Sequence, residues 1–298
     1  MNKAQLRNSF LLLVTAIIWG AAFVAQSTGM EYVEPFTFNC VRNIIGGLVL
    51  IPVIFLFRKL NGKKGPVVTK IELIGGICCG IALFTATSFQ QAGIIHTTVG
   101  KAGFITALYV VLVPVLGLFL KKRVPLHVWG CVVLAVVGLY LLCITEGSFA
   151  IGYGDLLVLI CAVVFSIHIL IIDYFSPKGD GVVISCIQFL TCGILSGIGM
   201  VLTETPVLEN IIDAKWSILY AGVLSCGVAY TLQVVAQKDV NPTIASLILC
   251  LEAVVAVLAG WVILKETLSL RELFGCALMF IAIVLAQLPT PNRKKERT

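Results

Sequence analysis

This sequence has little charge. Only 12% of its 298 residues are Asp, Glu, Lys or Arg, about half the roughly 25% of a soluble domain. So few charges cannot wet the surface of a soluble chain of this length, so a soluble enzyme is excluded. A disordered chain needs the opposite composition and is excluded too. Histidine is scarce, with three in the chain, and no second His or Cys is spaced to complete a metal set. No metal or other cofactor is expected. The chain has no G-x-x-x-x-G-K-[ST] phosphate loop, no G-x-G-x-x-G fingerprint, no paired Ser/His/Asp arrangement and no potassium-filter sequence. No catalytic residue is assigned. The 11 cysteines make no C-x-x-C motif. Their odd number and apolar setting suit small hydrophobic filler, not a disulfide framework.

What the chain has instead is apolar length. Hydrophobic residues make up 59% of it, and the mean hydropathy is +1.05. A membrane-spanning helix takes about 20 residues. Ten such segments fit, at 9–27, 36–57, 71–92, 98–120, 126–144, 155–175, 182–203, 216–236, 243–264 and 273–288. They leave no room for a large aqueous domain. Helices are expected because open strands cannot satisfy their backbone in lipid, and runs such as 109–120 lack the alternation of a barrel strand. Lys3 and Arg7 resemble the start of a signal peptide. No small-x-small cleavage site follows at the right distance, so the first segment is read as a retained helix.

The net charge of +6 sits between hydrophobic runs and at the termini, which argues against a nucleic-acid partner. With the N-terminus in the cytoplasm, 16 of the 21 basic residues fall on the cytoplasmic side. Lys215, Lys265 and Arg271 fall outside, and Arg42 and Lys101 lie within spans. That bias predicts a multi-pass protein of the cell inner or plasma membrane with both termini cytoplasmic. The basic tail at 293–297 fits the anionic inner leaflet.

The two halves echo one another. Leu120-Lys121 before Val124 and Leu126 matches Leu264-Lys265 before Leu268 and Leu270, and Gly130-Cys131 matches Gly275-Cys276. Residues 38–47 lie over 184–193, sharing Cys40 with Cys186 and Gly47 with Gly193, and Gln91 pairs with Gln237. Five spans per repeat is an odd number, so the second copy enters from the opposite side, a plan common in secondary transporters. The expected fold is an all-α polytopic membrane protein, ten transmembrane helices in two inverted five-helix repeats, divided as 1–145 and 146–298.

Several motifs stand in a familiar order. Ile17-Ile18-Trp19-Gly20 is followed by Pro35-Phe36 and Arg42. Then come Ala102-Gly103-Phe104-Ile105-Thr106-Ala107-Leu108-Tyr109, Pro114, Leu251-Glu252, Leu264-Lys265-Glu266 and Gly275. Over nearly its whole length the chain resembles the EamA family of the drug/metabolite transporter superfamily. The resemblance implies a ten-helix inverted repeat around a central cavity. It also implies movement of small organic solutes, often amino acids or other metabolites outward, on a solute or ion gradient. Two positions depart from the family's pattern. Ala253 stands where proline often follows the Leu-x pair of the ninth span, and Lys121 or Lys122 stands where many members carry an acid.

Ionisable groups inside a span are costly and usually face a cavity or a partner. Glu252 lies too deep to snorkel. It is read as a substrate-amine contact or proton carrier, or else as a structural partner of Arg42 or Lys101. Lys101 either lines the cavity and meets a substrate carboxylate or reaches the interface along its stem. Arg42 is read as a structural or gating tie ahead of a substrate contact. His168 is either a titrating group or hydrogen-bonded packing. Trp19, Phe23 and Gln26 share one helical face, as do Tyr230, Gln233 and Gln237. The expected substrate-binding set is Trp19, Gln26, Lys101, Tyr109, His168, Tyr230, Gln233 and Glu252.

The expected function is alternating-access transport, with export of amino acids or related compounds from a midplane cavity. Coupling to a proton or ion and a homodimer are both compatible with it. The partners are the lipid bilayer and a small-molecule substrate. The rivals are a non-transporting sensor or scaffold, a carrier of an anionic or lipid-like solute, and a membrane-embedded enzyme. The enzyme lacks a nucleophile or metal set, and the scaffold predicts a solid bundle without a cavity.

Overall fold

The computed structural model describes residues 3–60, 62, 66–97, 99–122, 124–143, 152–263 and 269–286; the Lys101 side chain lies outside that description, as do Leu264-Lys265-Glu266 and the basic tail. Among the described residues the secondary structure is helical throughout. The helices are α1 (Lys3–Gly29), α2 (Pro35–Leu60), α3 (Lys70–Ile94), α4 (Val99–Ala107), α5 (Tyr109–Phe119), α6 (Leu126–Cys143), α7 (Tyr153–Phe175) and α8 (Gly181–Thr203). After them come α9 (Leu208–Asp213), α10 (Lys215–Leu219), a π-helical stretch (Tyr220–Tyr230), α11 (Thr231–Gln237), α12 (Pro242–Leu249), α13 (Leu251–Ile263) and α14 (Leu270–Ala286).

Eight helical segments are long and apolar enough to cross a membrane, including Ala102–Phe119, Lys215–Gln237 and Pro242–Ala259. Leu126–Leu141 and Leu273–Ala286 are apolar but shorter. The sequence pattern predicted ten uninterrupted spans, and three of these are not uniform α-helices. The fourth is divided at Leu108 into α4 and α5, the ninth at Cys250 into α12 and α13, and the eighth changes to π winding from Tyr220 to Tyr230. The ends at 98, 144, 264 and 287–288 lie outside the described residues.

The outer surface is apolar as well as the core, unlike that of a soluble protein. Phe55, Leu73, Ile81, Ile194, Ile198 and Trp261 are exposed, while Asn39, Gln91, His168, Ser185 and Gln188 are fully buried. Apolar faces of this extent in water would be aggregation surfaces; in lipid they cost nothing. The helices then pack through small contacts and internal hydrogen bonds. Gly20 is one such contact: a Cβ there would stand 2.6 Å from the Glu252 carbonyl oxygen, so only glycine lets α1 lie this close to α13.

The packing pairs recur with the halves exchanged. α2 packs on α8, and α6 on α14. α1 packs on α12 and α13, as α7 packs on α4 and α5. α3 packs on α7 and α8, as the π stretch packs on α1 and α2. Two carboxylates tie helix ends within this frame. Glu204, just past α8, accepts from the Phe36 and Thr37 amides at 2.6 Å each and from the Thr37 hydroxyl at 2.7 Å, satisfying free donors at the start of α2. Glu72 closes a capping box with Thr69 and accepts from the Asp180 amide at 2.8 Å, joining the start of α3 to the cap of α8.

Candidate functional site

The two broken spans meet inside the bundle. At each break one residue leaves the α-helical pattern and the backbone tightens to an i→i+3 turn. Val111 donates to the Leu108 carbonyl at 2.9 Å, and Ala253 to the Cys250 carbonyl at 3.2 Å. Discontinuous helices of this kind are tolerated at membrane depth where they line a cavity. Tyr109 is the first residue of α5, and Glu252 the second of α13. The Tyr109 hydroxyl donates to Glu252 Oε1 at 2.9 Å. Glu252 therefore pairs with a tyrosine, not with Arg42, and its place in the chain is the first turn after a break. Ala253, in place of a proline, does not prevent that break.

Glu252 opens on a cavity with contributions from both halves of the chain. Its walls are Trp19, Phe23, Gln26, Gln90, Thr106, Tyr109, Phe165, His168, Ile169, Ser225, Tyr230, Gln233, Leu249 and Glu252. The cavity volume is only about 40 Å³. The side chains have nearly closed on one another, and a solute needs them to part. Aromatic rings make that closure. Tyr230 lies 4.4 Å from Trp19, 5.7 Å from Phe189 and 6.1 Å from His168 between ring centroids.

The polar atoms divide into those held by protein and those left over. His168 Nε2 is 3.1 Å from Gln188 Oε1, while its Nδ1 is buried with no partner. Gln90 donates to the Thr106 hydroxyl at 3.4 Å. The Trp19 indole N–H and Gln233 Oε1 are buried without partners. Buried polar groups are costly when unsatisfied, so these atoms are natural contacts for a bound solute or water. Arg42 does not line the cavity. It is 4% exposed, stands 5.4 Å over the Phe38 ring, and donates through Nη1 to Gln26 Oε1 at 2.8 Å. Among the described residues no carboxylate lies within ion-pair distance of it.

Of the eight residues expected to bind substrate, seven line one cavity: Trp19, Gln26, Tyr109, His168, Tyr230, Gln233 and Glu252. The side chain of Lys101, the eighth, lies outside the described residues. Gln237, on the same expected stripe as Tyr230, does not join the wall; it donates to the Ile169 carbonyl at 3.3 Å. Thr106, Phe165, Ile169, Ser225, Leu249 and the His168 partner Gln188 were not foreseen as site residues. Phe165 and Ile169 flank His168 at helical spacing and share its face, a signal that could have found them. Ser225 and Leu249 carried none. Among the described residues no group of three His, Cys, Asp or Glu side chains could hold a metal ion.

The sequence pattern of the EamA-like transporter family matches the chain twice, over residues 7–144 and 152–288. An uncharacterized transporter of Archaeoglobus fulgidus is 32% identical over 279 residues, covering 93% of this chain and 84% of its own. The uncharacterized transporter YwfM of Bacillus subtilis is 26% identical, with 96% and 95% covered. A chloroplastic WAT1-related protein of Arabidopsis thaliana is 25% identical, with 95% and 70% covered. A solved crystal structure superposes with a TM-score of 0.76 at 20% identity, covering 94% of this chain and 96% of that one; at that identity the likeness speaks for the fold alone.

Proposed function

The chain belongs to the EamA-like transporter family, and from that premise we propose that it is a secondary carrier of small organic metabolites, working by alternating access. It is a membrane transporter and not an enzyme. The two family matches and the packing pairs that recur with the halves exchanged support two inverted five-helix repeats, 1–145 and 146–298, with α6 and α14 as the fifth and tenth spans. Such repeats can rock about a central site and expose it to either side in turn. The positive-inside bias supports cytoplasmic termini in the cell membrane.

One observation carries this reading most: the nearly closed cavity gathers an acid, a histidine, three glutamines and a cluster of rings from both halves. A non-transporting scaffold has no need of such a chamber. Glu252 meets the amine of the substrate, or a coupling proton, and Trp19 and Tyr230 cover its apolar part. Gln26, Gln233, His168 and Tyr109 supply hydrogen bonds. Amino acids and related amines fit this set, with export as the proposed direction. Coupling to a proton or ion and a homodimeric unit are compatible with it.

Counterflow tests the reading. Purified protein in liposomes preloaded with members of a panel of amino acids and amines should take up the same labelled solute faster than empty liposomes. At least one panel member should show saturable exchange. Absence of exchange for every member would turn the reading toward a lipid-like solute or a sensor.

A further inference from the structure

Arg42 is a buried charge beside the cavity. It is 4% exposed, its Nε has no partner, and no described carboxylate neutralises it. A buried guanidinium without an anion is expensive. Its hydrogen bond fixes the glutamine beside it. Arginine has donors only, so the oxygen of the Gln26 amide must face Arg42, as the 2.8 Å contact shows. The Gln26 NH₂ is then left for the cavity that Gln26 lines. Arg42 thus projects positive potential into the cavity through a donor whose orientation it holds.

This donor is set apart from the carboxylate. The Glu252 backbone lies against Gly20, and Gln26 stands six positions further along α1, a backbone rise of about 9 Å. Phe23 lies between them on the same wall. We propose that Gln26, held by Arg42, is a subsite for the carboxylate of a zwitterionic solute whose ammonium sits at Glu252, and that the charge spacing favours a dipeptide over a free α-amino acid. An α-amino acid bears both charges on one carbon and reaches one pole at a time. An extended dipeptide spans about 7 Å, and side-chain reach closes the remainder. The inference rests on the carrier reading and assigns Arg42 as a positioning residue, acting through Gln26.

The test uses three probes that share a phenol ring: glycyl-tyrosine, tyrosine and tyramine. Binding of each to the purified full-length protein is measured by the rise in melting temperature across a concentration series. Glycyl-tyrosine should bind at least tenfold tighter than tyrosine or tyramine. Gln26→Leu should remove that advantage, weakening glycyl-tyrosine at least tenfold and tyramine by less. Arg42→Gln should do the same, and the Gln26 variant keeps the test alive where Arg42→Gln does not fold. Tyrosine binding as well as the dipeptide would overturn the spacing, and equal loss of all three probes in Gln26→Leu would overturn the carboxylate subsite. Failure of all three to bind wild-type protein that passes the counterflow assay would overturn the subsite while the carrier reading stands.

Discussion

The two broken spans reach the cavity by different means. In α4–α5 the break at Leu108 precedes Pro114, whose missing N–H and ring weaken the helix one turn further on. In α12–α13 the break at Cys250 has no proline near it, and side chains turn back on the backbone instead: Ser246 donates to the Thr243 carbonyl and Cys250 to the Leu247 carbonyl, both at 2.9 Å. Such back-bonding bends helices. The products also differ, a neutral phenol from the first break and a carboxylate from the second, and the two are bonded to each other. Meanwhile the buried cation, Arg42, comes from the first half, on an unbroken helix. The frame is repeated, but the chemistry is divided between the copies. The asymmetry is what gives the cavity a polarity.

Substitution can break that comparison most strongly at its charged side. Glu252→Gln should lower exchange by about 100-fold, since removing one partner of a buried charge contact costs about 2–5 kcal/mol; initial rates in liposomes read it. Next, Gly20→Leu should force α1 away from α13 and lower stability by about 1–3 kcal/mol, seen as a drop in melting temperature, with no comparable effect from leucine at the exposed Ile17. Tyr109→Phe removes the neutral side of the pair alone. It should cost about 1.5 kcal/mol, roughly tenfold in exchange, and a loss equal to that of Glu252→Gln would mean the two breaks contribute alike. The smallest effect lies at the far end of the first broken span. There Lys121 takes a left-handed backbone, φ 58°, in the turn that closes α5. Lys121→Gly should relieve that strain and gain about 0.5 kcal/mol, read as a small rise in melting temperature without change in exchange.

Composition and hydrophobic length made the helical membrane fold legible, because lipid leaves few alternatives for an apolar backbone. The helical faces of Trp19 with Gln26 and of Tyr230 with Gln233 were legible too, since rotation along a helix follows from spacing. The breaks at Leu108 and Cys250 were not. They depend on local back-bonding and on packing against other helices, and no proline, the usual sign of a bend, stands near the second break. Nor was the Glu252 partner legible. Charge alone pointed to Arg42 or Lys101; Arg42 bonds Gln26 instead, the Lys101 side chain lies outside the described residues, and a tyrosine from the other break stands at 2.9 Å. Gln237 shows the same limit from the other side, because the stripe continues in sequence but the helix carries that residue past the cavity to a backbone carbonyl.

The proposed carrier mechanism puts the substrate in the cavity at Glu252. Dicyclohexylcarbodiimide, which labels carboxyls in apolar surroundings, measures this most directly when Glu252 modification is followed by mass spectrometry with and without the solute that gives counterflow. Occupancy predicts that the solute slows labelling of Glu252 at least threefold and leaves labelling elsewhere unchanged. An unchanged rate at Glu252, in protein that still exchanges the solute, would place the substrate elsewhere and contradict the account.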